Sequence, residues 1–544
     1  MATNKLAPSV TPELTTMKQQ ELDLKIGEFT LEESPTNSSV STNSDLESPI
    51  SSSDSSNGET KMDTTLLSSI VKSFTQTLTN ENLSVQSEFL RNDFNSALSD
   101  SSSITMLPNY NISPSGQEFG KFLVIDLGGS TLRIAVVNID KAIDIEESDR
   151  SSRIKTVIEQ SWIIPNNFKV IDWEFFKFIG SKIKQVLQAQ DVLDIKSVVK
   201  TGITWSFPLE TTDYNHGKIV HVSKGYTIHP DIFGKDLKVI LESVLQDEFN
   251  IEIDIRIIFN DSLAVYAAGA FIDKNTKLAL VLGTGLNICC SLNSSDKINQ
   301  AKVLDGHKRI LYNTELSLFG QNLVTPDFVT KYDAHIDSRF GIFNQHFESF
   351  MTVDPNTGTI FQPHELMASG RYLPELTRLV LVDLIEAQEI FADRSQYELS
   401  EILTNEYDGV DGELMCFINE SKDLEAINDK ICERYGWENK VSPGEIAILK
   451  QVTEAIIQRA AFIVAYTIVS FVKLLHEHNQ EEDLSEVTIG FVGSVLSYFN
   501  SYRRLVKQLI NDNEEAKKLG LKVDLKLIDN SSIIGAAIGA AYYS

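Results

Sequence analysis

Positive charge is scarce in this sequence of 544 residues, which holds 48 lysine and arginine residues against 76 aspartate and glutamate residues. Proteins that bind nucleic acid or anionic membrane surfaces without sequence preference need a face rich in lysine and arginine. The formal charge of −28 therefore argues against both kinds of partner. A hydrophobic share of 42% still supplies enough apolar material for a large core.

Long apolar runs are also missing, because no stretch of 18 uncharged apolar residues occurs. The N-terminus lacks the basic region and the apolar stretch of a secretory leader. We therefore expect no membrane span, and we expect a cytoplasmic protein.

Cysteine is rare, and the four cysteines are Cys289, Cys290, Cys416 and Cys432. The first two are adjacent within an apolar segment, and none has cysteine or histidine partners at the spacing of a zinc site. We interpret all four as reduced thiols in the core of a cytosolic protein, and we expect no metal held by protein side chains alone.

The first 60 residues differ in composition from the rest of the chain. They hold three lysines against ten acidic residues, and serine is dense between positions 34 and 56. Too few large apolar residues are present to offset the entropy of ordering, so the sequence predicts a disordered, serine-rich acidic tail over 1–60. A solvating tail is the favoured interpretation, and regulatory contacts through Ser34 and Ser48, each followed by proline, are the alternative. Residues 61–115 are expected to form an N-terminal helical segment and a linker.

Two glycine-rich turns carry most of the functional information. The first, DLGGSTLR at 126–133, follows an apolar strand and leads into another, and GTGLN at 283–287 does the same. An apolar run that ends in small residues and restarts at once is typical of a β-hairpin with a tight turn. Glycine also leaves backbone N–H groups clear of side-chain bulk, so that they can approach phosphate oxygens. The repetition predicts a nucleotide held between two similar lobes.

Hydrophobic periodicity predicts an α/β fold, with strands and helices alternating up to about residue 300 and helices dominating beyond 310. The expected strands are 122–126, 132–139, 155–163, 198–204, 255–259, 278–282, 287–292 and 487–491. The expected helices are 173–190, 234–248, 261–270, 366–390, 442–475 and 499–511, with one more near the C-terminus.

Polar residues gather between the two glycine turns. Asn260 and Asp261 stand at the end of an apolar strand, immediately before a predicted helix. An aspartate at such a strand end can accept a proton from a hydroxyl group, and a lysine such as Lys224 can neutralise a transferring phosphoryl group. The alternatives are that Asp261 only caps the helix and that Lys224 is a solvated surface residue.

These elements resemble, in order along the chain, the motifs of the eukaryotic hexokinase family. The stretches that carry the resemblance are 106–110 (MLPTY), 126–133 (DLGGTNxR), 201–208 with 223–226 (the sugar-binding signature), 260–262 (NDT), 283–287 (the second phosphate loop), 313–320 (NTEWGxFG), 361–378 (QxxFEKMxSGxYLGEIxR), 459–461 (RAA) and 490–494 (the adenosine loop). The resemblance implies the two-lobed fold shared by hexokinases and actin-like ATPases, with a duplicated RNase H-like core. Its small lobe would be 116–258 with the C-terminal helix 531–544, and its large lobe 259–530.

The resemblance also implies a reaction, the transfer of the γ-phosphoryl group of ATP to the 6-hydroxyl of N-acetylglucosamine or a hexose. Asp261 would be the catalytic base, assisted by Lys224 and Arg133, with Mg²⁺ bound mainly through ATP and held by Asp126 through water. The implied nucleotide contacts are Asp126, Gly128, Gly129, Ser130, Thr131, Gly283, Thr284, Gly285, Gly493 and Ser494. The implied sugar contacts are Ser206, Phe207, Ser223, Lys224, Asn260, Asp261, Asn287, Glu315, Gln362 and Glu365.

Four departures from the family's motifs bear on the substrate. Ser130 and Thr131 replace Thr-Asn, LSL at 316–318 replaces Trp-Gly-x, Val492 replaces an aspartate, and residues 529–535 replace the glycine-rich DGSGxG run. Because the base, the lysine and both glutamates are kept, we favour an active kinase of the N-acetylglucosamine kinase branch. A glucose, mannose or fructose hexokinase or a glucokinase is one alternative, and a weakly catalytic sugar sensor is another. A structural protein of the actin type is disfavoured, because the sugar-site elements are complete.

Overall fold

The computed structural model describes residues 65–142, 149–189, 197–222, 226–343, 362–518 and 520–544. The tail predicted over 1–60 lies outside the described residues, as do Ser223 and Lys224. The strands are β1 Leu107–Tyr110, β2 Gly120–Leu127, β3 Thr131–Ile139, β4 Ile154–Ile163, β5 Val170–Ile171, β6 Val199–Trp205, β7 Leu209–Asp213, β8 His216–Ile219, β9 Thr227–Ile228, β10 Ile253–Phe259, β11 Thr276–Leu282, β12 Leu286–Asn293, β13 Arg309–Asn313, β14 Glu486–Val492 and β15 Lys522–Leu527. The α-helices are α1 Leu66–Thr75, α2 Asn80–Ser99, α3 Trp173–Ala189, α4 Leu237–Phe249, α5 Asp261–Ile272, α6 Lys331–Phe343, α7 Pro363–Ala368, α8 Leu373–Glu386, α9 Ser400–Thr404, α10 Gly412–Glu420, α11 Leu424–Tyr435, α12 Pro443–His478, α13 Ser494–Tyr498, α14 Asn500–Asp512, α15 Glu514–Lys518 and α16 Ser531–Tyr542.

A five-stranded sheet forms around the first glycine turn, with the strand order β10-β6-β2-β3-β4. Strands β2, β3 and β4 pair antiparallel, whereas β2, β6 and β10 run parallel. Leu127 pairs with Leu132 across the turn, which confirms the hairpin predicted there. Because the carboxyl ends of parallel strands meet at one edge of a sheet, Asp126, Ser206 and Asp261 all come to the same edge.

A six-stranded sheet forms around the second glycine turn, with the strand order β1-β13-β12-β11-β14-β15. Leu282 pairs with Leu286 in the antiparallel hairpin β11–β12, which confirms the second predicted turn. Strands β11, β14 and β15 run parallel. The segment predicted as a linker contributes an edge strand, because β1 pairs antiparallel with β13.

An apolar cluster containing residues of both sheets surrounds helices α5 and α16. The two helices lie close together, since a Cβ on Gly535 would come within 2.1 Å of the carbonyl oxygen of Ala264. A Cβ on Gly202 of β6 would come equally close, 2.1 Å, to the carbonyl oxygen of Ala536. Glycine is therefore required at both positions, and α16 is fixed against the helix that begins at Asp261.

Helix α12 lies in the largest apolar cluster, and most of its residues are buried. Ser442 and Glu445 form a capping box at its start. The N-terminal helices pack on it, because Phe94 of α2 stacks on Phe471 with ring centroids 4.3 Å apart. Among the described residues α12 is the one helix long and apolar enough to cross a membrane, yet 94% of its most apolar window is buried inside the protein. That burial is typical of a core helix.

The segment predicted as one helix over 366–390 is divided into α7 and α8. Between the two helices, the N–H of Gly370 donates to the carbonyl oxygen of Gly283 at 2.7 Å. Ser369 Oγ donates to the carbonyl oxygen of Thr284 at 3.0 Å. Pro374 then lies in the first turn of α8, where a helix does not need its N–H. The interruption therefore exists because this segment bonds to the second glycine turn.

All four cysteines are free thiols. Cys289 and Cys290 are buried within β12, as predicted. Cys416 and Cys432 are only partly buried, so the prediction of core thiols is wrong for these two. They lie on α10 and α11, two amphipathic helices that the sequence analysis did not predict, at the margin of the core.

Candidate active site

Asp261 lies in the first turn of α5, directly after strand β10. The helix is capped by the preceding residue, since Asn260 Oδ1 accepts a hydrogen bond from the N–H of Leu263 at 3.0 Å. The alternative that Asp261 only caps the helix is therefore wrong. Its carboxylate instead accepts a hydrogen bond from Ser206, whose Oγ lies 3.1 Å from Oδ1. Ser206 follows β6, so the ends of two neighbouring strands meet at this carboxylate.

A second carboxylate, that of Asp126 on β2, is buried nearby. Arg133 stands opposite it in the hairpin and binds Oδ2 from Nε at 2.8 Å and from Nη2 at 2.6 Å. Burial raises the pKa of Asp126 to about 6 although Arg133 opposes the shift, and the charge of Asp261 adds to the rise. No group of three or more His, Cys, Asp or Glu side chains in the described part of the chain has the arrangement of a metal site. A cation between Asp126 and Asp261 would therefore need ligands from a bound phosphate or water.

Two residues that the sequence analysis missed complete the surroundings of Arg133. Its Nη1 donates to Asn530 Oδ1 at 2.8 Å, and Asn530 Nδ2 donates to Glu159 Oε2 at 2.8 Å. Asn530 has a left-handed backbone, with φ 51°, immediately before α16. It lies within 529–535, where the sequence departs from the family's glycine-rich run. The departure was a signal, but it indicated a missing motif rather than this contact.

The first glycine turn is closed by its own hydrogen bonds. The N–H of Gly128 donates to the carbonyl oxygen of Thr131 at 2.8 Å, and the carbonyl oxygen of Ser130 accepts a bond from the start of the next loop. Lys169 Nζ donates to the carbonyl oxygen of Gly129 at 2.7 Å, a contact from a residue outside every motif. The N–H of Gly128 is thus engaged within the turn, and the exposed Ser130 lies at its tip.

The second glycine turn lies against Gly493 and Ser494, at the ends of the parallel strands β11 and β14. Gly493 has φ +113°, and a Cβ there would lie 2.2 Å from the carbonyl oxygen of Leu282. Only glycine fits at this position. The N–H of Gly283 is engaged within the turn by the carbonyl oxygen of Gly285 at 3.0 Å. The structure therefore brings together the five implied nucleotide contacts Gly283, Thr284, Gly285, Gly493 and Ser494.

Asn313 connects the polar residues on the other side of Asp261, although the sequence analysis gave it no role. Its Oδ1 accepts a hydrogen bond from Asn287 Nδ2 at 2.8 Å, and its Nδ2 donates to Glu315 Oε1 at 2.6 Å. Ser262 Oγ lies 3.4 Å from Asn313 Oδ1 and 3.1 Å from Asn260 Oδ1. Three implied sugar contacts, Asn260, Asn287 and Glu315, therefore belong to one network centred on Asn313.

Glu365 and Glu315 influence each other electrostatically. Glu365 Oε2 accepts a hydrogen bond from the N–H of Leu286 at 3.1 Å. Burial raises the pKa of Glu365 to about 7, and the charge of Glu315 adds to the rise. Burial also raises the pKa of Glu315, against the effect of the hydrogen bond from Asn313. Two desolvated carboxyl groups of this kind are suited to hydroxyl donors, whose hydrogen bonds stabilise the charged form.

Gln362 lies just before α7, and its Nε2 donates to Ser317 Oγ at 3.3 Å. Ser317 belongs to the turn that follows Glu315. Glu315 and Gln362 both have a left-handed backbone, each with φ 50°. Such strain in residues other than glycine is concentrated at functional sites. The hydrogen bond joins two of the stretches that resemble sugar-binding motifs.

Phe207 is buried, and its ring lies among other aromatic rings of the five-stranded sheet's core. Ring centroids are 4.8 Å apart for Phe207 and Tyr226 and 5.8 Å apart for Phe207 and Trp205. This packing fixes the chain beside Ser206, whereas a direct sugar contact by Phe207 stays a prediction.

The chain is similar to proteins of one family along most of its length. Two family models, each described as hexokinase, match residues 67–271 and 277–542. N-acetylglucosamine kinase 1 of Candida albicans is 58% identical over 481 residues, covering 88% of this chain and 94% of that protein. The hexokinase of Schistosoma mansoni is 24% identical over 461 residues, covering 84% of this chain and 91% of that protein.

Solved structures of hexokinases share the fold. The Schistosoma mansoni hexokinase complexed with glucose gives a TM-score of 0.65 at 22% identity, covering 87% of this chain and 98% of that one. Another hexokinase crystal structure gives a TM-score of 0.67 at 20% identity, covering 88% of this chain and 100% of that one. The predicted two-lobed α/β fold is confirmed.

Proposed function

The chain belongs to the hexokinase family of sugar kinases, and we propose that it uses ATP to phosphorylate the 6-hydroxyl group of N-acetylglucosamine. The observation that supports this most is the 3.1 Å contact between Ser206 and Asp261, beside the amide and carboxyl network of Asn313. The identity of 58% to a Candida albicans N-acetylglucosamine kinase supports the choice of sugar over the hexoses.

Asp261 is proposed to accept the proton of the sugar's 6-hydroxyl as that oxygen attacks the γ-phosphorus of ATP. The hydrogen bond from Ser206 holds the carboxylate in place for this transfer. Arg133, bound to Asp126, adds positive charge on the side of the first glycine turn. Lys224 is proposed, from the resemblance alone, to neutralise charge on the transferred group.

The described residues fit a nucleotide accompanied by magnesium. Gly493 leaves space beside the second glycine turn that any larger residue would fill. Asp126 is a buried carboxyl whose raised pKa means that a nearby cation would stabilise its charged form. Magnesium bound through ATP supplies the positive charge that neutralises phosphate oxygens during transfer. Asp126 would hold it through water, and the exposed tips at Ser130 and Thr284 would contact phosphate.

The sugar is proposed to lie between Asp261 and the two glutamates. The residues proposed to bind its hydroxyl groups are Asn260, Asn287, Glu315, Gln362 and Glu365. A buried carboxylate or amide that loses its hydroxyl partner is left unsatisfied, so a site of this kind discriminates strongly between sugars.

The test is the rate of ADP formation with ATP and Mg²⁺ on N-acetylglucosamine, glucose, mannose and fructose. N-acetylglucosamine is expected to give the highest kcat/KM. A higher value for glucose would assign the chain to the hexose kinases instead. No turnover on any of the four, with sugar still raising the melting temperature, would contradict a kinase and favour a sugar sensor.

A further inference from the structure

The side-chain amide of Asn530 lies between two groups of opposite charge, Arg133 and Glu159. Its Oδ1 accepts from Arg133 Nη1 at 2.8 Å, and its Nδ2 donates to Glu159 Oε2 at 2.8 Å. A guanidinium only donates and a carboxylate only accepts, so these partners fix which way the amide faces. Arg133 Nη1 and Glu159 Oε1 are 3.6 Å apart. The amide therefore separates an ion pair that is close to direct contact.

Asp126 competes with Glu159 for the same guanidinium. Strand β3, which carries Arg133, lies between β2 with Asp126 and β4 with Glu159. Arg133 Nε and Nη2 bind Asp126 Oδ2 at 2.8 and 2.6 Å, and its Nη1 binds Asn530. Each guanidinium nitrogen thus has a partner while the side chain stays 30% exposed. Its position depends on which of the two carboxylates holds it.

The side chain of Asn530 serves this contact and not the helix that follows it. Asparagine is a strong helix cap, yet at the cap position of α16 its side chain makes no capping hydrogen bond. Its left-handed backbone, with φ 51° and ψ 32°, directs the side chain away from the helix N-terminus. Helix α16 in turn is fixed against α5, which begins at Asp261, through the close contact of Gly535 with Ala264.

We propose that Asn530 is a positioning residue for phosphoryl transfer: by binding Glu159, it keeps the guanidinium of Arg133 on Asp126, beside the first glycine turn. This inference rests on the proposed function for the meaning of the Arg133 position. Without the amide, Glu159 closes on Arg133, and Asp126 loses the partner that offsets its buried charge.

The test is Asn530→Gly, which removes the amide and keeps a left-handed backbone accessible. We expect kcat to fall at least about tenfold because Arg133 is displaced, with the sugar KM nearly unchanged. Adding Glu159→Gln removes the competing charge and is expected to restore kcat toward the wild-type value. Glu159→Gln alone is expected to stay close to wild type. A loss in Asn530→Gly that Glu159→Gln does not rescue would mean a role in folding or helix capping and would overturn the proposal.

A crystal structure of Asn530→Gly tests the same inference without turnover. We expect a direct ion pair between Arg133 and Glu159 and loss of the contact between Arg133 and Asp126. Arg133 remaining on Asp126 would overturn the positioning role, whatever the protein phosphorylates. Failure of the proposed reaction appears instead in the wild-type assays, so the two failures are distinguishable.

Discussion

Ser206 and Asp261 face each other across the ends of two parallel strands, with Ser206 Oγ 3.1 Å from Oδ1 and 3.4 Å from Oδ2 of Asp261. The pairing of β6 with β10, in which Phe259 stands opposite Thr204, brings the two residues together across 55 positions of sequence. One hydroxyl group thus orients the carboxylate toward the space between the two glycine turns.

Replacing Ser206 by alanine is expected to lower kcat about fivefold, the effect of losing one hydrogen bond that orients the base. The KM for ATP should change little, because Ser206 has no part in the nucleotide contacts. Ser243→Ala, on the exposed face of α4, is the control, since that hydroxyl bonds only to its own helix. An unchanged kcat in Ser206→Ala would contradict the orienting role.

Sugar affinity is expected to rise with pH through Glu365, whose pKa burial raises to about 7. At pH 6 most of the sugar-free protein carries the neutral carboxyl, and at pH 8 most carries the carboxylate. Because hydroxyl groups donate to the carboxylate, binding releases a proton, and the sugar KM should fall about tenfold between these pH values. Glu365→Gln cannot ionise, so its KM, although higher, should lack this dependence. The same dependence in both proteins would exclude Glu365 as its origin.

Stability is expected to fall in acid through His364, a buried residue whose Nε2 lies 2.8 Å from the Tyr466 hydroxyl. Burial lowers the pKa of His364 from 6.5 to about 4. The unfolded chain therefore binds a proton at a higher pH than the folded chain does. This contribution to the free energy of unfolding is complete above pH 6.5 and is lost as the pH falls toward 4, by about 2 kcal/mol at pH 5.

Urea unfolding of wild type and His364→Phe at pH 7.5 and pH 5 measures this contribution. Asp126 and Glu365 have raised pKa values of about 6 and 7, so they act in the opposite direction and stabilise the fold in acid. The comparison with the variant isolates His364, because both proteins keep those carboxyls. The variant should lose less stability at pH 5 than wild type, and identical losses would show that His364 has no part.

Sugar preference is expected to depend on Ser317, which accepts a hydrogen bond from Gln362 Nε2 at 3.3 Å. With its nitrogen on Ser317, the amide of Gln362 presents its oxygen as an acceptor, which suits the N–H of an acetamido group. Ser317→Gly should lower kcat/KM for N-acetylglucosamine about fivefold and leave that for glucose nearly unchanged. Equal losses on both sugars would mean that the contact is structural only.

The parts of the site that lie within one local segment could be predicted from sequence. Both glycine hairpins, and the place of Asp261 at a strand end, follow from short runs of apolar and small residues. Asn313, Lys169 and Asn530 could not be found in this way. Each reaches the site from a segment remote in sequence, and only tertiary packing brings its side chain there.

The fold was missed where local pattern and tertiary bonding disagree. Strand β15, with the sequence KVDLKL, is a partly exposed edge strand with few apolar residues, and its pairing with β14 reveals it. The division between α7 and α8 depends on the hydrogen bond from Gly370 to Gly283, a residue of the second glycine turn. Periodicity registers which face is buried, but it does not register a backbone bond to another segment.

The central claim is that Asp261 is the base of a kinase that phosphorylates N-acetylglucosamine at its 6-hydroxyl. The most direct measurement is the rate at which wild type and Asp261→Asn form N-acetylglucosamine 6-phosphate from ATP, with the product identified by NMR. Sugar binding by the variant, followed by thermal shift, controls for folding. The account predicts rapid formation by wild type and a loss of at least about 100-fold in the variant that still binds sugar. Comparable rates in the two proteins would contradict it.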